Sequence, residues 1–371
     1  MQSFLLGYGV GDGLQAARQC LERIGTPPPG ANLGFLYATD ALAPELDAIL
    51  EYLKRETRIA HWVGSVGIGI CCSGREFYDA KALTVMVASF PHQAFRVLPT
   101  VKDGLEAFQE HDAWSRQSNA CLGVVHGDPH NASTPELIVR LADHLPGGFL
   151  VGGLTSSNDG GCLHIADQIT SGGISGVLFS DQVPVATALT QGCTPLGAKH
   201  VITECERNIA IRIDGRPALD VLFEDIGEVL ARDLNKAAGY IFVGLPIPGS
   251  DTGDYLVRNL IGIDTENKLL AVGDWLQPGA SLMFCRRDGR SAWEDMQRML
   301  AELKRRTTQV PKGGLYYSCL GRGRHLFGDD SAELKAIQHQ LGDFPLVGFF
   351  ANGEISHNRL YGYTGVLTLF L

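Results

Sequence analysis

The chain has no long basic run, no paired-cysteine motif and no apolar stretch long enough to cross a membrane, and each absence removes a class of function. Its 371 residues carry 31 Lys and Arg against 41 Asp and Glu, a net charge of −10, and the longest cationic run is Lys304–Arg306. That triple closes an expected helix, where cations favour the C-terminal dipole, so no nucleic-acid partner is expected. The nine cysteines are odd in number, scattered and never spaced C-x-x-C. This suits neither a zinc ribbon nor a disulfide framework, and it points to a reducing compartment. Met1 to Gly13 lacks a basic leader. The expectation is a soluble, cytoplasmic protein with no membrane insertion.

What is present is core. With 45% apolar and 19% charged residues, the chain exceeds what one core usually holds, and two domains are expected, 1–216 and 217–371. Gly7, Gly9, Gly11 and Gly13 precede an expected helix, but Asp12 and Leu14 stand where a dinucleotide fingerprint needs glycine. Three stretches repeat one pattern of strand, helix and strand. The first runs through Leu33–Ala38, Pro44–Arg55 and Ile59–Cys71, its helix carrying the stripe Leu46, Ile49, Leu50, Leu53. The others run through Leu122–Gly127, Pro135–Leu145 and Phe149–Thr155, then Leu315–Cys319, Ser331–Leu341 and Val347–Ala351. Each second strand reads Val-Gly and is expected to turn there.

Short alternating runs between these units read as hairpins, and Phe223–Leu234 and Ser291–Arg306 read as helices, the latter with a Ser291/Glu294 capping box. The fold class is α/β, in the mixed α+β sense: two similar domains, each a mixed sheet flanked by helices, built on a recurring strand-helix-strand module.

Chemistry concentrates near the C-terminus. One strand ends in a turn with Cys319, Gly321, Arg322 and Gly323, and another runs through Phe349 to Asn352, Gly353 and Glu354. If the two strands are neighbours, a thiol, a guanidinium, an amide and a carboxylate meet at one sheet edge. Arg322 would take a carboxylate and Glu354 an amine, which suits an amino acid; the alternative is an internal Arg322–Glu354 salt bridge. Gly64, Ser65, Gly152 and Gly153 offer backbone that a ligand can approach closely. Cys319, beside a cation, supports a cysteine-dependent enzyme as an alternative, yet no Cys, His, Asn order backs it and no catalytic residue is assigned. His126-Gly-Asp-Pro-His130 has metal-ligand residue types, but it reads as a turn without a second cluster, and no metal site is expected.

Cys-Leu-Gly-Arg-Gly at 319–323, Gly-Phe-Phe-Ala-Asn-Gly-Glu-Ile at 348–355 and the closing Tyr-Gly-Tyr-Thr-Gly-Val-Leu-Thr-Leu-Phe at 361–370 resemble the C-terminal domain of the FIST family, the F-box and intracellular signal transduction proteins. Trp-Val-Gly-Ser at 62–65, His-Gly-Asp-Pro at 126–129 and Ile202–Leu219 resemble its N-terminal domain. The resemblance implies a sensory protein that binds a small ligand, amino acids among them, and acts on a signalling protein in trans. No resident cofactor is expected. Some members bind haem and report nitric oxide to a kinase or cyclase, which makes haem the alternative cofactor and His357 its candidate ligand. Members often carry a His near the positions of Tyr361 and Tyr363.

Overall fold

Strand alternation sends one side chain inward and the next outward, and in this chain it generates the same sheet three times. The computed structural model describes residues 3–231, 240–247 and 255–371. The first copy comprises β1 (Phe4–Val10), α1 (Gly13–Ile24), β2 (Leu33–Thr39), α2 (Leu46–Thr57), β3 (His61–Gly67), a hairpin of β4 (Gly69–Cys72) and β5 (Arg75–Tyr78), and β6 (Ala82–Ala88). The second repeats that order with β7 (Phe95–Val101), α3 (Glu106–Gln117), β8 (Ala120–Gly127), α4 (Thr134–His144), β9 (Phe149–Leu154), a hairpin of β10 (His164–Ala166) and β11 (Ile169–Thr170), and β12 (Ile174–Ser180).

The third copy opens with β13 (Val185–Thr190) and is then interrupted. The interruption holds β14 (Cys193–Pro195), β15 (His200–Glu206), β16 (Ile209–Ile213), β17 (Arg216–Pro217), α5 (Ala218–Ala231), β18 (Ile241–Pro246), β19 (Tyr255–Asp264), β20 (Leu269–Val272) and β21 (Ser281–Arg287). The copy resumes with α6 (Gly289–Arg306), β22 (Gly313–Cys319), α7 (Ala332–Leu341), β23 (Leu346–Ala351), a hairpin of β24 (Glu354–His357) and β25 (Arg359–Tyr361), and β26 (Gly365–Phe370).

Three six-stranded sheets result, ordered β1-β6-β2-β3-β10-β11, β7-β12-β8-β9-β24-β25 and β13-β26-β22-β23-β4-β5. In each, the two strands around the crossover helix are parallel and the rest of the pairing is antiparallel. Each copy also lends its hairpin to another copy's sheet. The first hairpin completes the third sheet, the second completes the first, and the third completes the second. The inward faces share one core that includes Phe35, Val63, Val124, Val151, Leu315 and Val347. The outward faces are covered by helices in three separate clusters.

This exchange groups the chain into two spatial units, the first of which is discontinuous in sequence. One unit is Met1–Thr190 with Met296–Leu371, because β4 pairs with β23, β13 with β26, and β24 with β9. The other is Gln191–Asp295. In it β21, β15, β16, β20, β19 and β18 pair antiparallel in a closed ring, β18 returning to β21, around a core with Ile213, Val243 and Phe284. Its helix α5 breaks at Gly227, whose φ is 73°. Residues 232–234 of the expected helix lie outside the described residues.

Three local expectations change. The run Ile59–Cys71 is not one strand: it breaks at Ile68, whose N–H donates to Ser156 Oγ at 3.0 Å, and the chain then crosses to another sheet. Helix α6 is capped by Asp288 rather than Ser291, the carboxylate accepting from the N–H of Arg290 at 3.0 Å and from Ser291 Oγ at 3.1 Å. The Val-Gly pairs are not at turns. Gly64, Gly152 and Gly348 sit inside strands opposite Leu36, Val125 and Tyr316, where a Cβ would lie 1.7, 1.8 and 1.7 Å from those residues' carbonyl oxygens. These glycines admit the close approach of a neighbouring strand's backbone.

Candidate functional site

One residue beyond each of those three contacts, the inward side chains are Tyr37, His126 and Tyr317, all fully buried. They meet: Tyr37 Oη is 3.1 Å from His126 Nε2 and 2.8 Å from Tyr317 Oη. Strand pairing extends this level across every sheet. In the first sheet the row is His164, Ser65, Tyr37 and Thr84; in the second it is Glu354, Gly153, His126 and Ser175; in the third it is Ile70, Phe349, Tyr317 and Val366. A hydrogen bond between His164 Nδ1 and Ser175 Oγ ties the first row to the second. Two rows of a hydrophobic core are therefore polar and one is not.

Burial sets the protonation states. His126 is held down at about 3 by desolvation and by His164, and His164 at about 4 by desolvation, so both rings are neutral. Glu354 is pushed up to about 8 by desolvation against hydrogen bonds from the Thr364 N–H and Oγ1 at 3.0 and 2.8 Å. His126 Nδ1, His164 Nε2 and Thr84 Oγ1 have no hydrogen-bond partner among the described residues. Buried polar groups are normally paired, and leaving one unpaired costs about 1–3 kcal/mol. Several in one region mark a place built for something besides stability.

Carboxyl ends of parallel strands converge just beyond this level. Ser156, after β9, accepts from Ile68, after β3, and donates to the Phe350 carbonyl of β23 at 2.7 Å. The Asn352 N–H reaches the Leu154 carbonyl at 3.0 Å.

Of the residues expected from sequence, Ser65, Gly153, Phe349 and Glu354 stand in the polar level, Gly64 and Gly152 precede it on their strands, and Gly353 pairs through its carbonyl with the Leu154 N–H at 2.8 Å. Cys319 lies two residues past Tyr317 on β22, its thiol pushed up to about 12 by burial and by Glu354, the reverse of thiolate activation. Asn352 is exposed.

Gly321, Arg322 and Gly323 do not join this group. Arg322 is buried against Glu333 of α7, its Nε and Nη2 at 2.9 and 2.7 Å from Oε1, and the other oxygen accepts from the Gly323 N–H at 3.0 Å and Ser318 Oγ at 3.1 Å. Neither ligand recognition by Arg322 nor the alternative Arg322–Glu354 bridge is seen: Arg322 pairs with Glu333, whose carboxylate Tyr316 and Ser318 share from the outward side of β22. His357 is exposed at the hairpin tip with φ 58°, its Nδ1 2.9 Å from Asn358 Oδ1 and its ring edge-on to Phe149. One ring beside an exposed imidazole does not fit a porphyrin, whose faces need an apolar cleft.

The signal that sequence reasoning missed is the residue after each Leu36, Val125 and Tyr316 contact. Tyr37, His126 and Tyr317 recur at one position of the repeat, which an internal alignment on Val-Gly would have exposed. Asp128, His130 and Cys162 also come together, with ligand atoms within 4.8 Å of one another. A cleft of about 440 Å³ lies elsewhere, at the amino ends of β2, β3 and β7, lined by Asn32, His61, His92 and Arg96 among others.

The described residues combine a three-copy sheet core with a closed ring of strands inserted into the third copy. The chain belongs to the FIST family: the FIST N domain matches residues 32–216 and the FIST C domain residues 218–357. It is 30% identical over 374 residues to the uncharacterized protein Rv0628c of Mycobacterium tuberculosis, covering 96% of this chain and 95% of that one. It is 29% identical over 375 residues to the uncharacterized protein Mb0898c of Mycobacterium bovis, with the same shares. FIST domains are associated with sensory roles in signal transduction. No helix among the described residues is long and apolar enough to cross a membrane.

Proposed function

We propose that this protein is a sensor that binds a small polar metabolite, an amino acid among the candidates, at the polar level of its three-copy unit and passes that occupancy to a signalling protein encoded elsewhere. The observation that carries the reading is the set of unpaired buried atoms on His126, His164 and Thr84, in the same rows as the buried Glu354 carboxyl. A ligand that satisfied them would recover several hydrogen bonds in a low-dielectric setting, where each is worth most. Glu354 then acts first as a donor: with its carboxyl pushed up to about 8, it is neutral near pH 7 and suits a carboxylate or carbonyl oxygen. An ammonium group would instead draw the proton off. Output follows from differential affinity for two arrangements of the chain.

The test is native mass spectrometry of freshly purified protein, followed by thermal-shift screening with amino acids and other small polar metabolites. A co-purifying mass or a specific rise in Tm is expected, and Glu354→Gln and His126→Phe should each abolish it. Calorimetry in buffers of different ionisation enthalpy then separates an ammonium ligand, which releases a proton, from a neutral or anionic one. If no metabolite raises Tm and no mass co-purifies, the reading is lost.

A further inference from the structure

Asp128 directly follows β8 of the second copy, and its carboxylate is fixed on both sides. Oδ1 accepts from the His130 N–H at 2.8 Å and Oδ2 from the Gly172 N–H at 2.9 Å, while the Asp128 carbonyl accepts from Thr134 Oγ1 at 2.9 Å. The same loop turns His130 back so that its Nδ1 lies 3.2 Å from Asp128 Oδ1. Cys162 arrives from the turn before β10, its N–H donating to the Gly160 carbonyl at 3.0 Å. The fold thus supplies the third group that the His126–His130 turn lacks in sequence.

We infer that Asp128, His130 and Cys162 form a binding site for a thiophilic divalent cation, with zinc the best match. All three ligand atoms lie within 4.8 Å of one another. The 3.2 Å between Asp128 Oδ1 and His130 Nδ1 is close to the separation of about 3.3 Å expected for an oxygen and a nitrogen sharing a tetrahedral zinc at about 2.0–2.1 Å. A mixed carboxylate, imidazole and thiolate set is borderline-soft, which favours zinc over magnesium or calcium. The Cys162 thiol and the Asp128 carboxylate are buried and the His130 ring is exposed, so a fourth position faces solvent, as in zinc sites that keep an open coordination place.

A second observation points to the same spot. His164, two residues after Cys162, is fully buried with Nε2 unpaired, and Asp128 and Lys102 are the charges that act on it. The Thr155 side chain hydrogen-bonds the Cys162 thiol, which fixes the sulfur in the cluster.

The experiment uses the full chain stripped with a chelator and titrated with cobalt, then with zinc. One equivalent of cobalt should bring a thiolate-to-cobalt charge-transfer band, which zinc displaces. Cys162→Ser should remove the band. His130→Ala, at an exposed position that leaves folding intact, should weaken cobalt binding by about tenfold or more, whereas Cys319→Ser should leave both unchanged. Absence of stoichiometric uptake, a band that survives Cys162→Ser, or full affinity in His130→Ala would overturn the assignment.

Discussion

At the scale of single residues, the buried Glu354 carboxyl links folding to pH. Its ordinary value is 4.5 and its folded value about 8, so across that window the folded chain keeps a proton that the unfolded chain has lost. The stabilisation is complete below 4.5 and is lost as pH rises through 8. His126 and His164 act oppositely: held at about 3 and about 4, they stay neutral in the fold while the unfolded chain protonates them below 6.5. Glu76, raised to about 7, adds to the fall at lower pH. Above pH 7 the slope belongs to Glu354 together with His200, whose imidazole is raised, against desolvation, by its hydrogen bonds to Asp214 and Asp225. Urea denaturation at about pH 7 and about pH 8 should show stability dropping, Glu354 contributing up to about 1.4 kcal/mol per pH unit, and Glu354→Gln should reduce that drop. An unchanged slope in the variant would remove Glu354 as the titrating group.

At the scale of elements, three glycines decide whether the sheets close. A methyl at Gly64, Gly152 or Gly348 would strike a strand carbonyl that cannot move without breaking the ladder. Alanine at any one of them should cost upwards of about 3 kcal/mol or prevent folding, with similar severity at all three sites. Gly161, with nothing within 4 Å of its would-be Cβ, should tolerate alanine within about 0.5 kcal/mol. Equal tolerance at Gly348 and Gly161, read by thermal melts, would refute the packing argument.

These glycines were legible in the sequence as a recurring Val-Gly. So was the buried stripe Leu46, Ile49, Leu50, Leu53 of α2, since both depend on spacing within a few residues. The meeting of Tyr37 with His126 and Tyr317 was not, because it spans separations of 89 and 280 residues. Glu333 was hidden for a different reason. A lone acid on an amphipathic helix reads as solvent-facing, and its burial is explained by the Arg322 guanidinium together with Tyr316, Ser318 and the Gly323 N–H. Glu354 was legible because an acid closing an apolar run is unusual wherever the run folds.

At the scale of the whole molecule, the second unit stands where the other copies have a short loop. Two residues separate β1 from α1 and four separate β7 from α3, while the third copy spends residues 191–288 between β13 and α6. Replacing that stretch by a Gly-Ser turn of about three residues should leave a protein that still melts cooperatively and keeps the near-ultraviolet circular dichroism of its buried tyrosines. Loss of cooperative melting would show that the sheets depend on the insertion.

The borrowed hairpins also set a timetable for synthesis. The first sheet can be completed once Thr170 has left the ribosome, but β9 stays an open edge until β24 and β25 are made, and β4 and β5 wait for β23. For roughly half of translation the nascent chain presents a bare strand edge and a hairpin without its sheet, which makes it a substrate for holding chaperones and exposes truncated transcripts to aggregation.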